Sequence, residues 1–333
     1  MEADRVPAPP PSPQLAQVRP TIERLEPWKG GARAAYTLLH EDLVDASIGT
    51  LRVAVPALRT RGIRAGLATC VSLCAESNWT PLRTLAMEGF EIANHGWWHQ
   101  APTLENAAQE IDEARKEIQR RVGGTVSFYA CPDPAPEPEV AQYALDHGHV
   151  GCRDGRKPGD VVLPGQVDPA RIPHDSFGQG SAFGDKSTQL GTFLDSVMDQ
   201  GAWGIRSLRG VADSSWDPVP ENLYVAHLDR LEKLIRAKEL WVAPPTEVLR
   251  HAMAFRDAGT PVIEGSLLHF PESNPEQRVR AFLSVVVRCE GQAPQRLVAE
   301  QNGAPVLARE LEPGLWRLQV NPWDPVVLDA VLN

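Results

Sequence analysis

The sequence predicts an α/β fold followed by a small all-β region, and three observations predict it. Buried-strand patterns alternate with helical stretches from Ala34 to about Arg256, a spacing that implies parallel βα units. From about Gly259 the pattern changes to short strands parted by turns such as Gln301-Asn302-Gly303, which suits a small antiparallel sandwich. At 333 residues the chain has room for one large domain and a small one.

Taken in order, residues 1–22 carry the run Ala8-Pro9-Pro10-Pro11-Ser12-Pro13, which cannot pack a core and reads as a disordered lead-in. The large domain is expected over 23–257. Its first strand is 34–39, followed by a helix from Val44 to Arg61 and a strand over 65–71. Pro81 starts a helix that runs to Met87, and Phe90-Glu91-Ile92-Ala93 is a short strand. Thr103 caps an amphipathic helix, Leu104 to Arg121, whose charged pairs mark a solvated face without chemistry. Strands over 126–131 and 149–152 flank a helix from Glu139 to His147. The Gly-, Pro-, Asp- and Ser-rich stretch 155–190 reads as a long loop, with His174 and Asp175 as isolated polar residues in it. A helix from Thr192, a strand over 203–208, a helix from Leu223, a strand over 240–243 and a helix over 247–256 complete the domain. The sandwich is expected over 258–333, and nothing in it carries chemistry.

Composition excludes several classes. Apolar residues at 42% and charged residues at 23% are ordinary for a globular chain that buries a core. A net charge of −10 and a pI near 5.4 argue against nucleic acid or an anionic membrane as main partner. No apolar run is long enough to span a bilayer, so membrane insertion is not expected. The first residues lack the basic and apolar segments of a signal peptide, which makes the cytoplasm the default location and the envelope or exterior the alternative for a trimmed start. Five scattered cysteines do not form a disulfide framework, in keeping with a reducing compartment.

The most informative stretch is Glu88-Gly-Phe-Glu-Ile-Ala-Asn-His-Gly-Trp-Trp-His99. His95 and His99 stand four apart at a strand end, where one turn could aim both imidazoles at one divalent cation. On spacing alone the pair reads equally as two unrelated surface histidines. Upstream, the strand over 34–39 ends in His40-Glu41-Asp42. Two carboxylates there are costly near a core unless something cationic meets them; a solvated acidic turn is the other reading.

These two strand ends together resemble the polysaccharide deacetylases of the NodB-homology type, carbohydrate esterase family 4. Glu91-Ile92-Ala93-Asn94-His95 through His99 is similar to that family's second motif, and Glu41-Asp42 stands where its first motif has Asp-Asp. The resemblance implies an irregular (β/α) barrel with its site at the strands' C-terminal ends. It implies Asp42, His95 and His99 as ligands of Zn2+ or another divalent metal such as Co2+ or Ni2+, and Glu41 as general base. The implied activity is hydrolytic removal of an acyl group from a carbohydrate-like amide or ester, or from an acylated small molecule.

Two departures from the family accompany the match. Ala130-Cys131-Pro132-Asp133 corresponds to Arg-x-Pro-Tyr, which makes the N–H of Asp133 the implied oxyanion donor and leaves Ala130 in the place of the arginine that orients the base. Arg209 occupies the position of the general-acid histidine, and a guanidinium does not deliver a proton near neutral pH. His40, beside the carboxylate pair, is the candidate proton shuttle, whereas His227 sits inside a helix as a buried histidine. A catalytically impaired homologue that holds metal or glycan, and a related C–N hydrolase on a small amide, are the alternative readings. Trp97, Trp98, Trp203 and Trp216 are candidate sugar platforms, with burial expected for at least half of them.

Overall fold

The structure is a computed structural model that describes residues 11–15, 18–43, 48–132, 135–154, 158–271, 281–291 and 293–332. It divides into two compact units, one of residues 33–249 and one of residues 1–32 with 250–333. The chain enters with β1 (Val18–Glu26), which belongs to the second unit. The larger unit holds β2 (Ala34–His40), β3 (Gly66–Thr69), β4 (Glu91–Asn94), β5 (Phe128–Tyr129), β6 (Gly151–Asp154), β7 (Ile172–Pro173), β8 (Asp175–Ser176), β9 (Trp203–Leu208) and β10 (Leu240–Val242). Between them lie α1 (Val55–Thr60), α2 (Trp79–Met87), α3 (Ala114–Val122), α4 (Pro138–Asp146), α5 (Gln189–Gln200) and α6 (Glu221–Arg236), with α7 (Pro245–Ala258) following β10.

Every pairing among β2 to β10 is parallel, as strand–helix alternation requires. The order is β7-β6-β5-β4-β3-β2-β9-β8, with β10 pairing the first half of β2. Only His174 separates β7 from β8. That one segment pairs with β6 on one side and β9 on the other, and so closes the sheet into a barrel. All seven residues of β2 and all six of β9 are buried, which is why both read as mainly apolar stretches without a solvent-facing alternation. The stretch expected to be a long loop over 155–190 thus contains the closing stave. Two-residue strands leave no alternating pattern for sequence reading to find.

The smaller unit is a sandwich. One sheet runs β1-β13-β17-β16 and the other β11-β12-β18-β14-β15, all antiparallel, from β11 (Val262–Glu264), β12 (Leu267–His269), β13 (Leu283–Gly291), β14 (Arg296–Gln301), β15 (Ala304–Pro305), β16 (Ala308–Glu312), β17 (Leu315–Val320) and β18 (Val326–Val331). Val285, Val287 and Leu318 of one sheet share a core with Leu297, Val326 and Leu328 of the other. The N-terminal segment departs from the expectation of a lead-in to residue 22. Val18 to Ile22 pair with β13, and Leu15 is buried in the same core. Residues 1–10 of that lead-in, the helix start over 44–47 and Asp133 lie outside the described residues.

Candidate metal centre

Two strand ends build the centre. Beyond β2, the N–H of Glu41 still bonds Leu208 O at 2.7 Å, and the chain then turns at Asp42 with φ of +52°. Beyond β4, the N–H of His95 bonds Thr69 O at 3.0 Å, Gly96 turns the chain, and His99 sits at φ of +59°. A non-glycine residue in the left-handed region is uncommon and costs of order 1–3 kcal/mol, so two of them facing each other mark a locally strained turn pair.

Asp42 Oδ1 lies 3.2 Å from His95 Nε2 and 3.0 Å from His99 Nε2, and the two imidazole nitrogens are 3.2 Å apart. Ligand atoms about 2.0–2.1 Å from a tetrahedral cation are roughly 3.3 Å apart, so the three donors fit one divalent ion. The chemistry of the set agrees. His95 Nδ1–H donates to Ala130 O at 2.5 Å, which leaves Nε2 as the lone-pair nitrogen facing Asp42. Burial pushes the Asp42 carboxyl up, but the His95 and His99 imidazoles set against it outweigh that and hold the group well below the usual carboxylate range. Among the described residues these three are the His, Cys, Asp or Glu group arranged to hold a metal.

The loop from His95 to His99 is held from beneath by a carboxylate that the sequence reading assigned to a solvated face. Glu110 is fully buried, and its oxygens accept the N–H of Trp97 at 3.0 Å, of Trp98 at 3.0 and 3.2 Å, and of Gln100 at 3.4 Å. It lies in a π-helical turn, Ala108–Glu113, that leads into α3. A Cβ at Gly96 (φ +84°) would come within 2.5 Å of Glu110 Oε2, so glycine there is a requirement of the close approach. Asn94 completes the clamp: its Oδ1 accepts Gly96 N–H at 3.0 Å and its Nδ2 donates to Ile111 O at 2.9 Å.

Beside the triad, Glu41 is 3% exposed and paired with Arg153 of β6, whose guanidinium also bonds the Cys131 carbonyl and Ser207 Oγ. Burial and then the nearby Arg209 charge push Arg153 down to about 9, which leaves it cationic at neutral pH. A cavity of about 600 Å³ opens over these groups, walled also by His174, Ser176, Arg209, Trp216 and Asp217. His174 is buried, and Nδ1–H donates to Asp154 O at 3.3 Å. Burial and the positive charges of Arg153, Arg206 and Arg209 hold it far below the usual imidazole range, so it is neutral.

The structure therefore brings together Asp42, His95, His99, Glu41 and Arg209 of the residues singled out in the sequence. It does not bring His40. That imidazole is fully buried, its Nε2 meets Tyr224 OH at 2.9 Å, its Nδ1 lies 3.5 Å from Arg209 O, and burial lowers it to about 4. As the last residue of β2 it points to the opposite side of the strand from Glu41. Trp203 is core, donating to Thr37 Oγ1 at 3.0 Å, while Trp98 and Trp216 are exposed. Sequence reading misses Arg153 and Glu110, and it takes His174 for a mainly solvated loop residue with a lesser chance of substrate contact, whereas the structure buries it in the cavity wall. Cys152-Arg153-Asp154 had the same signal as Glu41-Asp42, charge at the end of a buried strand.

A parallel barrel whose strand ends converge two imidazoles and a carboxylate defines an α/β protein with a candidate metal centre. The family model for polysaccharide deacetylase matches residues 45–151, well under half the chain, and this segment is similar to that family. Among solved structures, a family 4 acetyl xylan esterase from Clostridium thermocellum is 18% identical, with 64% of this chain and 89% of that one covered and a TM-score of 0.44. A peptidoglycan deacetylase from Bacillus subtilis is 15% identical (68% and 94% covered, TM-score 0.45), and a CE4 family pseudoenzyme from Bacillus anthracis is 14% identical (65% and 65%, TM-score 0.43). None of these similarities bears on the chemistry of this chain. No curated protein matches it. No helix among the described residues is long and apolar enough to cross a membrane.

Proposed function

We propose that this chain is a metal-dependent deacylase that removes an acetyl or related acyl group from a carbohydrate-type amide or ester. The convergence of Asp42, His95 and His99 within 4.8 Å of one another carries the reading, because no core-packing need explains two imidazoles and a carboxylate meeting at a cavity floor. Zinc is the proposed ion. When bound, it polarises the acyl carbonyl and lowers the pKa of a water toward neutrality.

The chain's own residues do the rest. His95 is fixed in tautomer by Ala130 O, and Glu110 fixes the loop that carries His99. Glu41 takes the attacking water's proton, with its carboxylate held in place by Arg153. Arg209 keeps its proton, so the proton held on Glu41 is the one returned to the leaving amine or alkoxide. The N–H of Asp133 remains the proposed oxyanion donor.

A second reading, a homologue that binds metal or glycan without turnover, is favoured by one observation: a guanidinium occupies the place where the family has its acid histidine. Metal content and acetate release separate the two. Purified protein dialysed against zinc should carry one ion per chain and release acetate from acetylated oligosaccharides, and His95→Ala should do neither. Equal acetate release by wild type and His95→Ala rejects the deacylase; zinc retention without acetate release selects the second reading.

A further inference from the structure

Two guanidiniums wall the cavity, and their situations differ. Arg153 is buried and committed to Glu41, Ser207 and the Cys131 carbonyl. Arg209 has a side chain 24% exposed, and its Nε lies 3.5 Å from Asp42 Oδ2, too long for a good hydrogen bond. Among the described residues no acceptor meets its two Nη groups. Its guanidinium carbon sits 5.8 Å from the ring centroid of Trp216, a cation–π distance that orients the group without using its N–H donors. Trp216 lines the same cavity and is 69% exposed.

The other charges near this wall are matched. Asp217 is bonded by Lys186 Nζ and by Gln179 N–H, and Glu41 is matched by Arg153. A planar fork with unused donors, held against an exposed aromatic face, matches a carboxylate on a ring whose apolar face lies on the tryptophan. Resting on the deacylase reading, we propose that Arg209 and Trp216 form a subsite for a carboxylated sugar, so that the glycan taken by this site is anionic next to the acyl group it presents. The guanidinium at the place of the family's histidine is then a specificity device. The chain's net charge of −10 gives such a polymer no long-range attraction, so recognition is short-range and shows in KM.

The test uses two acetylated oligosaccharides that differ only in one sugar, a uronic acid in the first and its carboxyl-reduced counterpart in the second. Wild-type protein should favour the uronate by roughly tenfold or more in kcat/KM, mostly through KM, with the ratio falling as salt rises. Arg209→Gln should bring that ratio to about one, and Arg209→Lys, a point charge without the fork, to an intermediate value. A wild-type ratio near one, or a ratio that survives Arg209→Gln, overturns the subsite. A second arm titrates the two deacetylated oligosaccharides, which cannot turn over, into wild type and Arg209→Gln by calorimetry. Preferential binding of the uronate, lost in the variant, upholds the subsite even in a protein that releases no acetate, which would reject only the deacylase reading. Equal binding of the two oligosaccharides by wild type overturns the subsite.

Discussion

Replacing Glu110 with Gln changes one atom and tests how the metal loop is preorganised. The carboxylate offers two acceptor oxygens to three backbone amides, those of Trp97, Trp98 and Gln100. Gln keeps one acceptor and turns an –NH2 donor toward amides that are themselves donors. A buried donor left without its acceptor costs about 1–3 kcal/mol. One such loss in a unit of this size lowers Tm by roughly 2–12 °C. The loop from His95 to His99 would then relax away from the strained φ at His99, and loss of groups that support ligands typically weakens metal affinity about 10- to 100-fold. Competition with a chromophoric chelator gives the zinc Kd, and calorimetry gives Tm. A zinc Kd within twofold of wild type, whatever happens to Tm, would refute the claim that Glu110 holds the ligands in place.

Two further outcomes follow from groups buried around the barrel. Arg153→Met leaves Glu41 buried without its cation, so unfolding free energy should fall by about 3–5 kcal/mol. Arg153→Met combined with Glu41→Gln should recover a large part of that loss in urea unfolding, and a single-variant loss below about 1 kcal/mol would contradict the pairing. Acid sensitivity comes from His40, His149 and His227, whose burial lowers them to about 4, 4 and 3. The unfolded chain binds these protons near pH 6.5 and the fold refuses them until about pH 4 or below, so stability is complete above 6.5 and declines as pH falls through that window. Each histidine contributes up to about 2 kcal/mol of loss between pH 7 and 5, and urea midpoints that stay constant over that interval would show these imidazoles are not held neutral.

Legibility in the sequence followed burial length. β2, β9 and β10 are readable because each holds an apolar run of at least three residues, and β4 because its Ile92-Ala93 core leads straight into the histidine motif. The motif residues Asp42, His95 and His99 were readable because ligand chemistry restricts residue type at fixed spacing. Residues that act through backbone groups were not. Glu110 sits at a helical position among Asp112, Glu113 and Glu117, and nothing local distinguishes a carboxylate that accepts buried amides from one that faces water. The helix carrying it reads as solvated from its charged pairs, and Glu113, Lys116 and Arg120 are indeed exposed, with Glu117 partly buried.

The closing stave explains why the departures from the family motifs do not empty the site. In a parallel barrel every strand's C-terminal end faces the same cavity, so a side chain lost from one stave can be replaced from its neighbour. Ala130, just past β5, contributes only a carbonyl to His95, and the guanidinium that meets Glu41 comes instead from Arg153 on the adjoining β6. On the other side, Arg209 directly follows β9, while the segment pairing with β9 carries His174 into the same cavity wall. That segment is anchored by a fully buried pair, Asp175 with Arg206 of β9, and Asp175 also accepts Ser181 Oγ–H and Ala182 N–H at 2.8 Å. Such a buried pair is a costly way to stabilise a strand. Its placement directly after His174 ties the position of that imidazole to closure of the barrel, so the part of the cavity wall that holds His174 is set by the same residues that complete the fold.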